Sequence, residues 1–335
     1  MIPLLLISGM GWSLFQPYAG FKGDVFVEIR KGTGASSIAR MLAQAGAVRF
    51  NWQFLLVRAL NPHRKVQAGE YQFQGAASVW EVFGRLARGD TYYYELSIPE
   101  GQSMFDIADK IESLGLVSRG DFLAAAGDAS SIQDLAPEAR SQEGYLFPAT
   151  YRLTGSMTAE QICAEMTGQF RRQWRSLNSG ENVHRLVTMA SIVEKETGRP
   201  DERTLVAGVY WNRLKKGMRL EADPTTIYAA LLDGRYRGTI YKSDLESKNP
   251  YNTYRHAGLP PGPIANPGLA SLKAALAPAE TSYLYFVAQP GNTGASTFST
   301  TLDAHRRAVA EYRHGNKPKG TTRAVARKRA AATNH

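Results

Sequence analysis

A 22-residue segment occurs twice, 69 positions apart, and this repeat constrains the fold more than any other feature of the 335-residue chain. VEIRKGTGASSIARMLAQAGAV (27–48) aligns with LSIPEGQSMFDIADKIESLGLV (96–117), matching Ile29 to Ile98, Gly32 to Gly101, Ile38-Ala39 to Ile107-Ala108, Gly46 to Gly115 and Val48 to Val117. Each copy reads as a short strand, a Gly turn and a helix with apolar residues at helical spacing: Ile38, Met41 and Leu42 in the first, Ile107, Ile111 and Leu114 in the second. Between the copies the pattern predicts a helix over 52–60, a strand over 68–73 and a helix over 78–87. A chain of this length exceeds one ordinary core, so two or three domains are expected.

A strand–turn–helix of this size resembles LysM, a small glycan-binding module; a plain α+β packing unit would carry the same pattern. A second region opens at EGYLFPATYRL (143–153), whose Pro148 suits an edge or wall segment. Helical patterns follow over about 181–197, stopped by Gly198 and Pro200, and over about 202–218. Asp223 and Pro224 suit the N-cap and first turn of a further helix. The stretch NPYNTYRHAGLPPGPIANPG (249–268) is too rich in Pro and Gly for regular structure, and loops of this length are usually functional. Two short strands (282–288 and 296–300) and a helix over 302–312 complete the pattern.

The formal net charge of +10 suggests a nucleic-acid partner until it is mapped along the chain. Seven basic residues (Arg313, Lys317, Lys319, Arg323, Arg327, Lys328, Arg329) follow Glu311 with no acidic residue among them, so most of the excess is one solvated tail. No helix-turn-helix, zinc-finger or RNA-binding signature accompanies it, and no nucleic-acid partner is expected. The single cysteine, Cys163, excludes an intrachain disulfide. The six histidines are scattered without a close pair, so ligand counting predicts no metal. At the other end, MIPLLLISGMGWSLFQPYA carries no charge before Lys22 and is just long enough for a bilayer span, which takes about 20 residues. A membrane anchor is the first reading; a signal peptide or a buried strand shares the composition.

The chemistry concentrates in LVTMASIVEKETGRP (186–200). On a helix, Met189, Ile192, Val193 and Glu196 fall on one stripe, so Glu196 continues an apolar face, while Glu194 lies about 200° round the axis. Glu196 would sit in the last helical turn, where desolvation and the helix dipole both disfavour its charge and raise its pKa. A carboxyl kept protonated near neutral pH is what a general acid for a glycosidic oxygen requires. The plainer alternative is a solvated carboxylate paired with Lys195 or Arg199. Tyr145, Phe147, Tyr151, Tyr228, Tyr251 and Tyr254 offer flat faces for sugar rings, although each taken singly is more simply core. Asn212, Asp223, Thr225, Asn252 and Thr253 offer partners for hydroxyls and amides.

These residues lie in runs that closely resemble the YceG-like (MltG) family of endolytic murein transglycosylases: EGYLFPATY (143–151), MASIVEKETG (189–198), NRLKKGMRLEADPTTIYA (212–229), YNTYRHAGLPPGPIANPG (251–268), SLKAALAPA (271–279) and YLYFVA (283–288). The resemblance spans the chain to Tyr312. It implies an α+β fold with an N-terminal membrane helix (1–20), a LysM-like α+β subdomain (21–140), a mixed α/β catalytic domain (141–313) and a basic tail (314–335). It implies a single-pass protein of the inner, cytoplasmic membrane with a periplasmic catalytic domain. It further implies cleavage of the MurNAc–GlcNAc bond within nascent peptidoglycan strands, leaving a 1,6-anhydro end and terminating elongation. No cofactor is implied; the partners implied are glycan strands, the membrane and peptidoglycan synthases. The family's catalytic Glu maps onto Glu196, with Glu143, Tyr145, Glu194, Asn212, Asp223, Thr225, Tyr251, Asn252, Thr253 and Tyr254 as substrate-binding candidates. The triplet Glu221-Ala222-Asp223 departs from the QSD- or QTD-like triplet expected but keeps Asp223. A non-catalytic peptidoglycan-binding scaffold is the competing function.

Overall fold

The computed structural model describes residues 11–177, 180–291 and 294–315. The chain divides into two compact units: the first comprises 11–97, 110–118 and 150–158, and the second comprises 98–109, 119–149 and the described residues from 159 onward.

In the first unit β1 (Val25–Ile29) and β2 (Gly69–Phe73) pair antiparallel, with Val27 opposite Tyr71. Alternation along both strands sends Val27, Ile29, Tyr71 and Phe73 inward. There they meet α1 (Ala35–Gln44), α2 (Asn51–Leu60) and α3 (Val79–Arg88), with Leu42, Phe54, Val57, Val82, Phe83 and Leu86 fully covered. Helix α3 is well delimited. Ser78 Oγ accepts from Glu81 N–H while the Glu81 carboxylate accepts from Ser78 N–H, and Gly89 closes the helix in the left-handed region. A second antiparallel pair joins β3 (Tyr94–Ser97) to β4 (Thr150–Leu153).

The repeat takes the local form expected of it. β1–α1 and β3–α4 (Met104–Ser113) are both strand–turn–helix units. The matched glycines share a left-handed backbone, with φ of 88° and 76° at Gly32 and Gly101, and 73° and 71° at Gly46 and Gly115. A side chain in that region meets its own carbonyl, so glycine at both entry and exit lets each copy turn without strain.

The second unit is mainly helical: α5 (Arg119–Gly127), α6 (Ala159–Ser176), α7 (Val183–Glu196), α8 (Arg203–Lys215), α9 (Asp223–Leu232), α10 (Lys242–Leu245), α11 (Leu269–Leu276) and α12 (Leu302–Gly315), with the antiparallel pair β5 (Tyr285–Ala288) and β6 (Ser296–Ser299). Helix α7 is its axis. Asn182 caps it by accepting from Arg185 N–H at 2.8 Å, and every residue from Leu186 to Val193 is buried, chiefly against α8 and α11. The single apolar stripe expected there is thus too narrow: the helix is enclosed on all sides over those eight residues.

The architecture is α+β. Among the described residues strands pair only as two-stranded antiparallel ladders. The connection between β5 and β6 is too short for the crossover that parallel pairing needs. The first ten residues of the expected membrane helix lie outside the described residues, as does the basic tail from 316 onward. Among the described residues no helix is long and apolar enough to cross a membrane. Part of the expected span, moreover, belongs to the first unit: Leu14 is buried in its core, and Tyr18 exchanges backbone hydrogen bonds with Ala77.

Two glycines of the first copy separate backbone strain from packing. A Cβ at Gly32 would meet open space, whereas at Gly46 it would come within 2.7 Å of the Gly20 backbone. Gly32→Ala is therefore expected to cost about 1–2 kcal/mol, the left-handed penalty alone. Gly46→Ala should cost clearly more, because rigid backbone must also move. Urea denaturation of the two variants checks this, and equal losses would refute the packing argument.

Candidate active site

Glu196 closes α7, and its carboxyl lies at a pocket of about 260 Å³ in the second unit, lined also by Tyr210, Arg213, Leu220, Glu221, Asp223, Tyr254, Phe286 and His305. Five separate stretches build the walls. Helix α8 contributes Tyr210 and Arg213, three residues apart and hence on one face. The bend before α9 contributes Leu220, Glu221 and Asp223. Tyr254 comes from the Pro/Gly-rich loop, Phe286 from β5 and His305 from α12.

Tyr210, itself buried, donates its hydroxyl to Glu196 Oε1 at 2.8 Å. Burial pushes the Glu196 carboxyl up to about 7 from an ordinary value of 4.5; Asp223 reinforces the rise, while the Tyr210 hydrogen bond and the Arg213 charge oppose it. Loss of solvation wins, so the group stands near its midpoint at neutral pH. The folded value exceeds the unfolded one, so Glu196 contributes stability that is fully present below pH 4.5 and is lost as pH rises through about 7.

Arg213 fixes the opposite wall through carbonyl oxygens. Its Nε donates to Leu284 O at 2.7 Å and its Nη1 to Leu220 O at 2.7 Å, with Arg219 O at 3.3 Å. Asp223 begins α9 at the first helical position; the cap position is Ala222, so the expected Asp223 N-cap is not made. Its Oδ1 instead accepts from the Tyr254 hydroxyl at 2.6 Å, which couples the helix start to the long loop. His305 stacks on Tyr285 with ring centroids 5.2 Å apart, and its burial lowers its pKa, so it lines the pocket as a neutral ring.

Of the substrate-binding candidates, Asp223 and Tyr254 line this pocket with Glu196; the others do not line it. Thr225 and Thr253 are buried with their hydroxyls 2.8 Å apart, and Thr253 Oγ1 accepts from Ala222 N–H at 3.0 Å. Asn252 is also fully buried and donates to the Leu245 and Ser247 carbonyls at 3.0 and 2.8 Å. Asn212 donates to Thr281 O and Tyr283 O at 2.7 and 3.1 Å, holding the approach to β5. Tyr145 is buried with its hydroxyl 2.9 Å from His184 Nδ1, and Tyr251 packs on Tyr228.

Glu143 and Glu194 face inward elsewhere. Glu143 accepts from Met104 N–H at 2.9 Å and from Asn266 Nδ2 at 2.8 Å; burial still pushes its carboxyl up to about 8. Glu194 accepts from Gly268 N–H at 3.0 Å and pairs with Arg203 at 3.4 Å, which ties α7 to the start of α11. Tyr210, Arg213, His305 and Phe286 were not singled out from the sequence. They join Glu196 through contacts 14 or more residues away, and no local pattern announces such a meeting. Arg213 does fall within the NRLKKGMRLEAD run, the one signal that could have drawn attention to it.

No group of three or more His, Cys, Asp or Glu side chains with the geometry to hold a metal ion occurs among the described residues. The arrangement supplies a proton donor and acceptor in one group, with hydrogen-bonding walls around it.

A profile described as the YceG-like family matches residues 27–311. Among curated proteins, the chain is 33% identical over 333 aligned positions to an endolytic murein transglycosylase of Bacillus subtilis, covering 92% of this chain and 91% of that protein. It is 29% identical to an endolytic murein transglycosylase of Streptococcus pneumoniae, covering 93% of this chain and 64% of that longer protein. Among solved structures, a yceG-like protein from Listeria monocytogenes is similar at a TM-score of 0.54 and 34% identity, covering 86% of this chain and 99% of that one.

The opposing influences on Glu196 can be separated by titration. Tyr210→Phe removes a stabiliser of the charged form and is expected to raise the Glu196 pKa further. Asp223→Asn removes a nearby negative charge and is expected to lower it. Carboxyl-carbon NMR of labelled protein reads both. Shifts of the same sign in the two variants would contradict this account of the pocket.

Proposed function

The chain belongs to the YceG-like family, and from that premise we propose that it is an endolytic murein transglycosylase, cleaving the MurNAc–GlcNAc bond within peptidoglycan strands with Glu196 as acid and base. The observation that carries this reading is the Glu196 carboxyl itself, raised to about 7 at a pocket walled by Tyr210, Arg213, Asp223 and Tyr254. A group near its midpoint can give a proton and take one back, which is the condition for a single residue to serve both halves of a reaction.

In the first half Glu196 protonates the glycosidic oxygen as its bond to the muramic anomeric carbon breaks, and the N-acetyl carbonyl oxygen of the same sugar supports the developing positive charge. In the second half the Glu196 carboxylate takes the proton of that sugar's 6-hydroxyl while its oxygen bonds to the anomeric carbon. The anhydro ring closes and the acid is regenerated. No water is consumed, so the second carboxylate that activates water in an inverting glycosidase has no task here. Burial, and after it Asp223, favours the neutral starting form of Glu196, while Tyr210 and Arg213 favour its charged intermediate form; a moderate pKa is the balance.

The remaining assignments belong to the same proposal. Residues 21–140 act as a LysM-like glycan-binding region ahead of a catalytic region over 141–313. The apolar N-terminal residues anchor the protein in the cytoplasmic membrane, with the catalytic domain periplasmic. Cutting there would terminate strands as synthases make them. The competing reading, a peptidoglycan-binding scaffold, gives no reason to hold a carboxyl near pH 7 at the base of a pocket.

Glu196→Gln keeps the shape of the side chain and removes the acid. It is expected to leave the melting temperature within a few degrees and to reduce turnover by about 10²–10⁴-fold. Purified sacculi incubated with the protein, followed by mass spectrometry for anhydro-ended muropeptides, provides the measurement. Undiminished product from Glu196→Gln would remove Glu196 from the mechanism, and absence of such product from the unaltered protein would leave the scaffold reading in its place.

A further inference from the structure

Glu221 is the sole non-glycine residue with a positive φ among the described residues, at 51°. A left-handed backbone is sparsely populated by residues with a Cβ, and it persists only where the surroundings impose it. Here they do. Glu221 N–H donates to Thr253 O at 3.3 Å, and Ala222 N–H donates to Thr253 Oγ1 at 3.0 Å, so the buried Thr253 clamps both residues of the bend.

The side chain gives the fold little in return. Its carboxylate approaches Arg213 Nη1 only to 3.5 Å and is half exposed, a geometry in which ion pairs contribute little. Arg213 does not depend on it, because Leu284, Leu220 and Arg219 already offer carbonyl oxygens to that guanidinium. Glycine would adopt the same bend without strain, and a Cβ-bearing residue is held there nonetheless. What the glutamate gains from the position is its place in the wall of the pocket that holds Glu196.

We propose that Glu221 is a substrate-binding residue, its carboxylate accepting a hydrogen bond from a hydroxyl or amide N–H of the amino sugar bound beside Glu196. The inference rests on the reading of this pocket as a glycan-cleaving site. The strained bend aims an acceptor at the sugar from the wall, while Glu196 handles the proton in transit. Binding and chemistry therefore lie on separate carboxyls, and loss of Glu221 weakens capture more than turnover.

Two variants and two readouts test this. Glu221→Gly removes the acceptor and relieves the backbone; Glu221→Gln keeps an oxygen acceptor and removes the charge. On soluble glycan strands, Glu221→Gly is expected to raise KM about tenfold, the loss of one charge-assisted hydrogen bond, with kcat within about threefold of the parent. Glu221→Gln should show a smaller rise. The melting temperature of Glu221→Gly should equal or exceed that of the parent. The second readout is binding of the same strands by calorimetry in a Glu196→Gln background, where the added Glu221→Gly change should weaken affinity by a similar factor. An unchanged KM and affinity in the Gly variant, or a melting temperature several degrees lower, would overturn the role of Glu221 and leave the catalytic reading standing. A folded Glu196→Gln protein that binds no glycan would overturn both.

Discussion

Complete enclosure of one helix underlies the rest of the second unit. With every residue from Leu186 to Val193 buried, α7 can neither roll nor slide without breaking its contacts with α8 and α11, so its last residue is delivered to one place. Glu194, one turn-face away, adds a directional tie through Gly268 N–H and Arg203. Cores of this kind are close-packed and transmit small displacements, which explains why a group needing placement to a fraction of an ångström ends such a helix rather than sitting in a loop.

The same enclosure sets the chemistry. A carboxyl at a solvated helix end would ionise near 4.5, while at the mouth of a packed interior its charged form loses water that nothing fully replaces. Tyr210 returns part of that solvation through one hydrogen bond, and Arg213 through its charge, with Asp223 acting against them. A glutamate buried with no such donors would stay neutral through the physiological range, and one given a close salt bridge would stay charged. The intermediate value comes from burial opposed chiefly by the Tyr210 hydrogen bond, with the Arg213 charge a smaller influence.

Where the sequence is legible, local chemistry decides the outcome. Gly198 and Pro200 mark the end of α7 because breakers act within a few residues, and the placing of Glu196 next to an apolar face follows from helical periodicity alone. The repeat is legible for the same reason, since its paired glycines answer a local backbone demand. The tyrosines, threonines and asparagines of 212–254 are not. A polar residue type near a loop is compatible with a sugar contact or with a backbone carbonyl that needs a donor, and the choice depends on partners 5 to 71 residues away. Asn252 and Thr253 have such carbonyls or N–H groups beside them and are buried with them, and the part-buried Asn212 likewise donates to carbonyls; the side chains of Asp223 and Tyr254 meet each other at the pocket. Burial of an unpaired amide is costly, so a Pro/Gly-rich segment without its own ladder must recruit side chains to satisfy its backbone.

Arg213 illustrates how that recruitment shapes function. Its planar fork reaches a carbonyl at 284 with one nitrogen and carbonyls at 219 and 220 with another, so a single side chain of α8 joins the strand that bears Phe286 to the bend that bears Glu221. A lysine could place one charge nearby but could not span both in fixed directions. Because its short hydrogen bonds go to carbonyl dipoles, with the Glu221 carboxylate only at 3.5 Å, the guanidinium keeps its positive charge only partly offset. That residual field lies across the pocket from Glu196 and lowers its pKa without competing for its proton. The wall that gives the pocket its shape is thereby also the wall that moderates its acid, and altering the geometry at Arg213 would alter both at once.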